Sequence, residues 1–341
     1  MRSLAIAVVA ALAASAWAYM VWQQGERRAA PVGEVEVIGC GGEGLWLESR
    51  RGTKRVRVRF EGDGATLEVQ APHAGVAPAP GEATPTTTRA MAASTSVRRL
   101  ADAFTPLRAR RSLGAVAPDK LASLGLEAPT ESLTVHCDGR TTTLQIGDTA
   151  YGGAGRYARS SESGEVFLLT ESAVADVRLA DVRFVQRALL DERPREFEGV
   201  TITRGTARTG LRHLRREQPG ADLWVREQAP DRRDEMLENW VGAVLQLRAL
   251  EHLGRDREPG SELQPPESTE LVWTATFARA DGAVREVVLR RTLPTPPGPV
   301  RYYARSDATR GWVTLSAAAA QRVADDLPAL LGLPAEATAT R

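Results

Sequence analysis

A glycine-rich stretch near the start of the chain is a motif that could bind a nucleotide cofactor. Residues 39–44, Gly-Cys-Gly-Gly-Glu-Gly, follow an alternating run and have the glycine spacing of a dinucleotide-binding loop. Such a loop must lead into a helix, because the helix N-terminus binds the pyrophosphate. The residues after Gly44 instead alternate like a strand until Gly52. We therefore predict a glycine-rich hairpin turn and no cofactor.

The histidines do not have the spacing of metal ligands. His136-Cys137-Asp138 offers three ligand types in a row, but neighbours on a strand point to opposite faces and cannot readily share a tetrahedral ion. We predict a solvated histidine on a hairpin and no metal site. Motifs of zinc proteases, serine hydrolases and phosphate-binding loops are also absent from the sequence. A pair of carboxylates that the fold brings together would not be recognisable from spacing.

Two arginines, each beside a tyrosine of a predicted strand, recur at equivalent positions. The pairs are Tyr157 with Arg159 and Tyr303 with Arg305. These four residues are the candidate interaction residues, and each arginine would contact an anion or a partner protein. The alternative is an arginine at a strand edge that stacks on its neighbour.

The overall charge gives no reason to expect a nucleic-acid partner. The chain has 44 Lys and Arg against 43 Asp and Glu, a net charge of +1. We find no basic cluster interleaved with aromatic residues, which binding of single-stranded nucleic acid requires.

The N-terminus carries the strongest single-segment signal. Residues 4–22 are apolar or small, with Ser15 as the only polar residue. A run of this length, at about 1.5 Å per residue, is enough to cross a hydrocarbon core of roughly 30 Å. We predict that residues 1–24 are a single-pass membrane anchor. A cleaved signal peptide is the alternative, because small residues at 14–18 fit a cleavage site. Both interpretations export the remainder of the chain.

The chain contains an internal repeat. Tyr-Ala-Arg-Ser at 157–160 returns at 303–306, and the Leu-Arg-Ala at 107–109 returns at 247–249. In both copies, the apolar residues that lead up to the leucine of Leu-Arg-Ala have helical spacing. This spacing predicts the same buried helix face in each copy. The equivalent positions are Val97, Leu100, Ala101, Phe104 and Leu107, and Leu237, Trp240, Val241, Val244 and Leu247.

The pattern predicts an α+β fold. Short runs of period two predict antiparallel strands with one solvated face, and Asp138-Gly139 between two such runs predicts a hairpin. We expect an N-terminal transmembrane helix followed by two tandem modules, each an antiparallel sheet packed by one or two amphipathic helices. The first module covers 34–190 with a flexible Ala/Pro/Thr insertion at 73–96, the second covers 198–333, and 334–341 is a disordered tail.

Cys40 and Cys137 are the only cysteines. In an oxidising compartment they could form one disulfide. Both fall in the first copy and have no counterparts in the second, so we predict two separate thiols and keep the disulfide as the alternative.

The first copy contains five short motifs, Leu-Gly-Leu-Glu-Ala-Pro at 124–129, Leu-Gln-Ile-Gly-Asp at 144–148, Tyr-Ala-Arg at 157–159, Val-Phe-Leu-Leu at 166–169 and Leu-Ala-Asp-Val-Arg at 179–183. In these motifs the chain resembles the domain-of-unknown-function family 4340. The second copy departs from the family pattern, because Pro-rich residues 258–266 replace its Leu-Gly-Leu-x-x-Pro element. The resemblance implies a bacterial protein with a membrane anchor and a repeated extracytoplasmic region, often encoded beside ABC transporters of the gliding-motility type. It supplies no catalytic residues.

The sequence therefore predicts a non-enzymatic accessory or interaction subunit of an envelope or ABC-transporter-associated complex. We expect it in the bacterial inner membrane through residues 4–22, with the bulk of the chain in the periplasm or extracytoplasmic space. We expect the chain to bind a partner protein, and we expect it to bind neither nucleic acid nor a small-molecule cofactor. Alternatives are a module that binds an envelope glycan or peptide, and a hydrolase with a non-local site.

Overall fold

The computed structural model describes residues 32–62, 64–72, 86–153, 155–214, 223–254, 264–265, 268–293 and 299–333. The anchor predicted for 1–24 and the tail predicted for 334–341 lie outside these residues. Across the ranges given above, no helix is both long enough and apolar enough to span a membrane.

Strands dominate the described part of the chain, which contains eighteen strands and seven short α-helices. The strands are β1 (Val32–Ile38), β2 (Trp46–Arg51), β3 (Lys54–Glu61), β4 (Gly64–Pro72), β5 (Thr86–Ala92), β6 (Leu107–Ala115), β7 (Glu131–Cys137), β8 (Arg140–Thr149), β9 (Arg156–Ser160), β10 (Glu165–Leu169), β11 (Phe197–Arg204), β12 (Ala207–Leu214), β13 (Leu223–Arg226), β14 (Ala249–His252), β15 (Thr269–Arg279), β16 (Val284–Thr292), β17 (Tyr302–Ser306) and β18 (Gly311–Leu315). The helices are α1 (Arg98–Phe104), α2 (Pro118–Leu121), α3 (Glu171–Arg178), α4 (Ala180–Arg183), α5 (Glu235–Leu245), α6 (Ala317–Asp325) and α7 (Leu327–Leu330).

The predicted fold class, a transmembrane helix followed by two α+β modules, is wrong. The protein is mostly β, with two antiparallel sheets, and its described residues contain no membrane-spanning helix. The longest described helix, α5, has 11 residues. The helical spacing in each copy covers only about three turns, and the residues after it return to extended structure.

The chain divides into two compact units. Unit 1 comprises residues 1–61 and 98–180, and unit 2 comprises 62–97 and 181–341. In unit 1 the strands lie in the order β1-β6-β10-β9-β8-β7-β2-β3, with antiparallel neighbours. Helix α3 packs on β2 and β3 and contacts α1. The side chain of Thr170 accepts a hydrogen bond from the Ala173 amide and caps α3.

Unit 2 contains the β4–β5 hairpin and a sheet in the order β13-β12-β11-β15-β16-β17-β18-β14. Helices α5, α6 and α7 contribute to one continuous core with this sheet. Trp240 of α5 lies edge-on to Trp273 of β15, with ring centroids 5.5 Å apart. Its Nε1 donates to the Val323 carbonyl of α6 at 2.9 Å, so burial of the indole leaves no polar atom unpaired.

The internal repeat is confirmed by the strand order. The seven strands β6-β10-β9-β8-β7-β2-β3 of the first copy correspond, position by position, to β14-β18-β17-β16-β15-β11-β12 of the second. The sequence reading missed one further echo, the turn Arg-Gly-Thr at 51–53 and 204–206. In both copies the glycine has a positive φ, +57° at Gly52 and +58° at Gly205, as a two-residue hairpin turn requires.

The repeated helix face is also confirmed, although its end was placed wrongly. Nine of the ten predicted positions are buried and Ala101 is partly buried. The helices end at Phe104 and Leu245, and the repeated Leu-Arg-Ala leads into strands β6 and β14. Pairing with β1 holds Leu107, Arg108 and Ala109 extended in the first copy. In the second copy, Ala249 pairs with Leu315 of β18.

The predicted flexible insertion at 73–96 is only partly described. Residues 73–85 lie outside the described ranges. Thr86–Ala92 forms β5, which pairs with β4 from Thr66↔Ala92 to Pro72↔Thr86. The interpretation as a flexible segment is therefore wrong for 86–92, because threonines favour strands and Ala90 and Ala92 are buried.

Candidate functional site

The glycine-rich loop connects β1 to β2, and strand β2 follows it instead of a helix, as predicted. The predicted hairpin is wrong, because β1 pairs with β6 and β2 pairs with β3 and β7. The Asp138 carboxylate holds the loop in place, because it accepts from the Gly41 amide at 2.6 Å and from the Glu43 amide at 3.0 Å. The Asp138 amide in turn donates to the Glu43 carbonyl. These bonds give the loop a structural role.

The two cysteines form a disulfide, so the prediction of separate thiols is wrong. Cys40 and Cys137 have Cα atoms 5.7 Å apart and are separated by 97 residues in sequence. Sheet pairing brings them together, and spacing along the chain could not show it. Within the described residues, Cys40, Cys137 and Asp138 are the group whose ligand atoms lie close enough for a metal. The disulfide occupies both sulfurs, which leaves no thiolate for an ion.

The four candidate interaction residues lie on strands β9 and β17, at equivalent positions of the two sheets. Arg159 is partly exposed, and Tyr157 packs beside Leu121, Leu126 and Val166. Tyr303 is buried at 1% exposure. The Arg305 guanidinium lies 5.5 Å from the ring centroid of Trp312, its cross-strand neighbour. The two copies therefore place Arg159 and Arg305 in different surroundings.

Arg159 belongs to a row of side chains that crosses five strands of unit 1. The residues pair directly across β3, β2, β7, β8 and β9, so they share one face of the sheet. The opposite face carries buried apolar residues such as Leu47 and Val58. We call the row, made of Arg55, Arg50, Ser132, Gln145 and Arg159, the arginine row.

Two parallel rows on the same face have more internal contacts than the arginine row. In one, Arg57 donates to Glu48 at 2.6 Å and 2.8 Å and stacks over Trp46 at 4.7 Å. In the other, Trp46 stacks on His136, with centroids 5.3 Å apart. His136 also bonds to Thr141. These contacts fix the surface beside the arginine row.

A groove in unit 2 has a mostly apolar lining. Its volume is about 650 Å³, and β4, β5, β14 and α4 contribute its walls. Leu250 and Val182 line the groove and are 61% and 55% exposed. Arg89 and Glu251 pair across it at 3.4 Å. We call this cavity the β14 groove.

The floor of the β14 groove contains a buried histidine. His252 is 6% exposed, and its Nε2 donates to the Gln186 carbonyl at 2.5 Å. Burial lowers the pKa of His252, and the nearby positive charge of Arg187 lowers it further, while the hydrogen bond to Gln186 acts in the opposite direction. The groove therefore has an uncharged floor and a rim with both signs of charge.

A second, polar cleft in unit 2 tests the idea of a hydrolase with paired carboxylates. Its volume is about 460 Å³, and Asp191 and Glu192 lie in its wall. Glu192 accepts from Arg279 at 3.1 Å and from Arg285 at 2.5 Å. Burial raises the pKa of Asp191, partly offset by a hydrogen bond from Gln186. Two guanidinium groups hold Glu192 in ion pairs. We therefore interpret Asp191 and Glu192 as part of a structural network and not as an acid–base pair.

Four of the five motifs shared with family 4340, at 124–129, 144–148, 157–159 and 166–169, lie in unit 1, and the fifth, at 179–183, continues past its last residue, Ala180. Gly125 ends a 3₁₀ turn in the left-handed conformation, with φ +68°, beside Asp148. Leu126 is buried with Leu121 and Val166. These contacts build the fold, whereas Asp181 and Val182 of the motif at 179–183 line the β14 groove.

The fold defines a mostly β protein made of a tandem repeat. The family described as Domain of unknown function (DUF4340) matches residues 84–266. This match covers more than half of the chain, and the chain belongs to that family. No curated protein and no solved structure matches the chain.

Proposed function

We propose that the protein is a non-enzymatic interaction subunit of the bacterial envelope, which binds a short apolar segment of a partner protein in the β14 groove. The observation that carries the proposal is the exposure of Leu250 and Val182 inside one groove. Large apolar side chains exposed together in a concave surface are typical of protein-binding sites. The rim residues Arg89, Arg187, Asp181 and Glu251 balance in charge, so apolar contact would select the ligand.

Two observations support an extracytoplasmic location. Disulfides persist in oxidising compartments, and the Cys40–Cys137 disulfide closes a long loop. The apolar run 4–22 supplies an export signal. An association with an ABC transporter of the gliding-motility type is the family-based part of the proposal. Alkaline phosphatase fused after Arg341 would be active if the chain is exported, and an inactive fusion that is present in full amount would contradict export.

Site-specific photocrosslinking tests the groove. A photoreactive phenylalanine analogue at Leu250 should crosslink to one envelope protein in intact cells. The matched control is the same analogue at Leu271, which is 48% exposed in unit 2 and does not line the groove. The expected result is a crosslink at position 250 that is absent at 271.

A competing substitution completes the test. Val182→Asp places a charge in the groove and should abolish the crosslink from position 250, while Val284→Asp, at a site of 51% exposure outside the groove, should leave it intact. Equal crosslinking at 250 and 271, or a crosslink that survives Val182→Asp, would contradict the proposed site.

A further inference from the structure

The arginine row in unit 1 contains a like-charge pair that the fold alone does not explain. Arg50 of β2 and Arg55 of β3 are direct cross-strand partners. Arg51 and Lys54 form the next pair, at the end of the same hairpin. Like charges directly opposite each other destabilise a sheet. Of Arg50 and Arg55, only Arg55 contacts a described carboxylate, that of Glu48, so the opposed charges of this pair act against the stability of the hairpin.

The second copy does not repeat this concentration of charge. At the equivalent hairpin, Thr203 pairs with Arg208 and Arg204 pairs with Ala207. The same turn, Arg-Gly-Thr, thus folds without opposed cations. A local conflict that the fold does not require is typical of a functional site.

The polar side chains of the arginine row are available to a ligand. Arg50 and Arg159 have no side-chain ion pair or hydrogen bond with another described residue, and the same holds for the side chains of Ser132 and Gln145. Arg55 contacts Glu48 at 3.3 Å and keeps 37% of its side chain exposed. Cations therefore stand at both ends of the row, with a hydroxyl and an amide between them.

The spacing of the row suits an extended ligand. Neighbouring strands lie about 4.8 Å apart, so four steps from β3 to β9 span roughly 19 Å. The arginine row does not line any of the cavities described above. A linear molecule with repeated anionic groups could contact both ends at once.

We propose that the arginine row binds an anionic polysaccharide of the envelope. Guanidinium groups pair with carboxylates or phosphates of the polymer. Ser132 and Gln145 would hydrogen-bond its hydroxyl groups, which a purely charged surface would not provide. This row of hydroxyl and amide groups favours a glycan over an acidic polypeptide. The proposal is independent of the β14 groove.

The corresponding row of the second copy provides a matched control. It contains Arg208, Thr203, Thr274, Val288 and Arg305 in the same order across the strands. Val288 replaces the amide of Gln145, and Arg305 is stacked on Trp312. We therefore expect this row to bind no glycan.

Binding of the full-length chain to polygalacturonate at low salt tests the proposal, with neutral dextran and poly-glutamate as comparison polymers. We expect the chain to bind polygalacturonate and neither of the comparison polymers. Salt should weaken this binding, because the contacts are exposed. The double variant Arg50→Gln/Arg159→Gln should raise the Kd about tenfold, as expected for two ion pairs. Arg208→Gln/Arg305→Gln, which removes equal charge, should change it less than about twofold.

A second variant separates glycan recognition from charge alone. Ser132→Ala/Gln145→Ala keeps every cation and should weaken polygalacturonate binding about fivefold, as expected for the loss of two hydrogen bonds. Unchanged thermal unfolding would show that each variant is folded. Binding of poly-glutamate as tight as that of polygalacturonate would assign the row to an acidic polypeptide and overturn the proposal. Equal losses in the two double arginine variants would also overturn it.

Discussion

Gly147 lies against the backbone carbonyl of Leu124, so closely that a Cβ atom at position 147 would come within 2.2 Å of the Leu124 oxygen. The same Cβ would lie 2.9 Å from Cγ of Leu126, which is buried. Neither neighbour can move without disturbing the core of unit 1. The glycine is therefore required for the close approach of β8 to the segment that follows α2.

The first prediction concerns this contact. Gly147→Ala should lower the free energy of unfolding by about 3 kcal/mol, at the upper end of the range for overpacked cores. The control is Gly242→Ala in α5, where a new Cβ meets nothing within 4 Å. That change should raise stability by up to about 1 kcal/mol, because alanine is the better helix former. Urea denaturation measures both, and equal effects would contradict the packing argument.

The disulfide should contribute strongly to stability. It closes a loop with a sequence separation of 97 residues, and a loop of this length stabilises by about 4–5 kcal/mol through the entropy of the unfolded chain. We expect Cys40→Ser/Cys137→Ser to lose most of this free energy. In chemical denaturation, a reductant should shift the wild-type midpoint and leave that of the double variant unchanged. A wild-type midpoint that ignores reductant would show that the bond does not form.

Glu131 is a buried carboxylate that two arginines neutralise. Its side chain is 4% exposed and contacts Arg156 at 3.4 Å and Arg178 at 3.3 Å. Glu131→Gln should cost about 3 kcal/mol, because it leaves the partly buried Arg156 without its counter-charge and removes one of the two carboxylates that Arg178 contacts. The control is Glu270→Gln in a half-exposed pair with Arg291, expected to cost less than about 1 kcal/mol. Thermal unfolding compares the two, and a smaller loss at Glu131 would contradict this role.

His252 should make stability depend on pH. Because burial lowers its pKa in the folded state, the unfolded state binds a proton more readily. Its contribution is fully present above the unfolded pKa of about 6.5 and is lost as the pH falls towards the lowered folded pKa. His252→Gln should flatten this decline, whereas His136→Gln, on the solvated sheet face, should preserve it. Urea denaturation between pH 7.5 and pH 5 gives the comparison, and a decline that survives His252→Gln would assign it to another group.

The local parts of the fold could be predicted from the sequence. The faces of α1 and α5 follow from helical spacing, because burial of one stripe fixes which residues face the sheet. Asp138 and Gly139 form the predicted two-residue turn, with φ of +52° and +74°. Both features depend on residues within a few positions of each other.

The parts that could not be predicted depend on pairing between distant strands. Leu107–Ala115 becomes β6 because β1 and β10 flank it, and neither neighbour is visible from the local pattern. The arginine row requires the register of β2 with β7, more than 80 residues away in sequence. The net charge of +1 also concealed the four cations of residues 50–55, because it averages over the whole chain. Sites formed across strands therefore had no signal in the linear sequence.

The disulfide has a further consequence for chain connectivity. Unit 1 is built from two stretches, 1–61 and 98–180, and the intervening residues 62–97 belong to unit 2. Cys40 lies in the first stretch and Cys137 in the second. A single proteolytic cut anywhere between 62 and 97 would therefore produce two fragments that migrate together without reductant and separate with it. The bond makes unit 1 tolerant of cleavage in the segment that interrupts it.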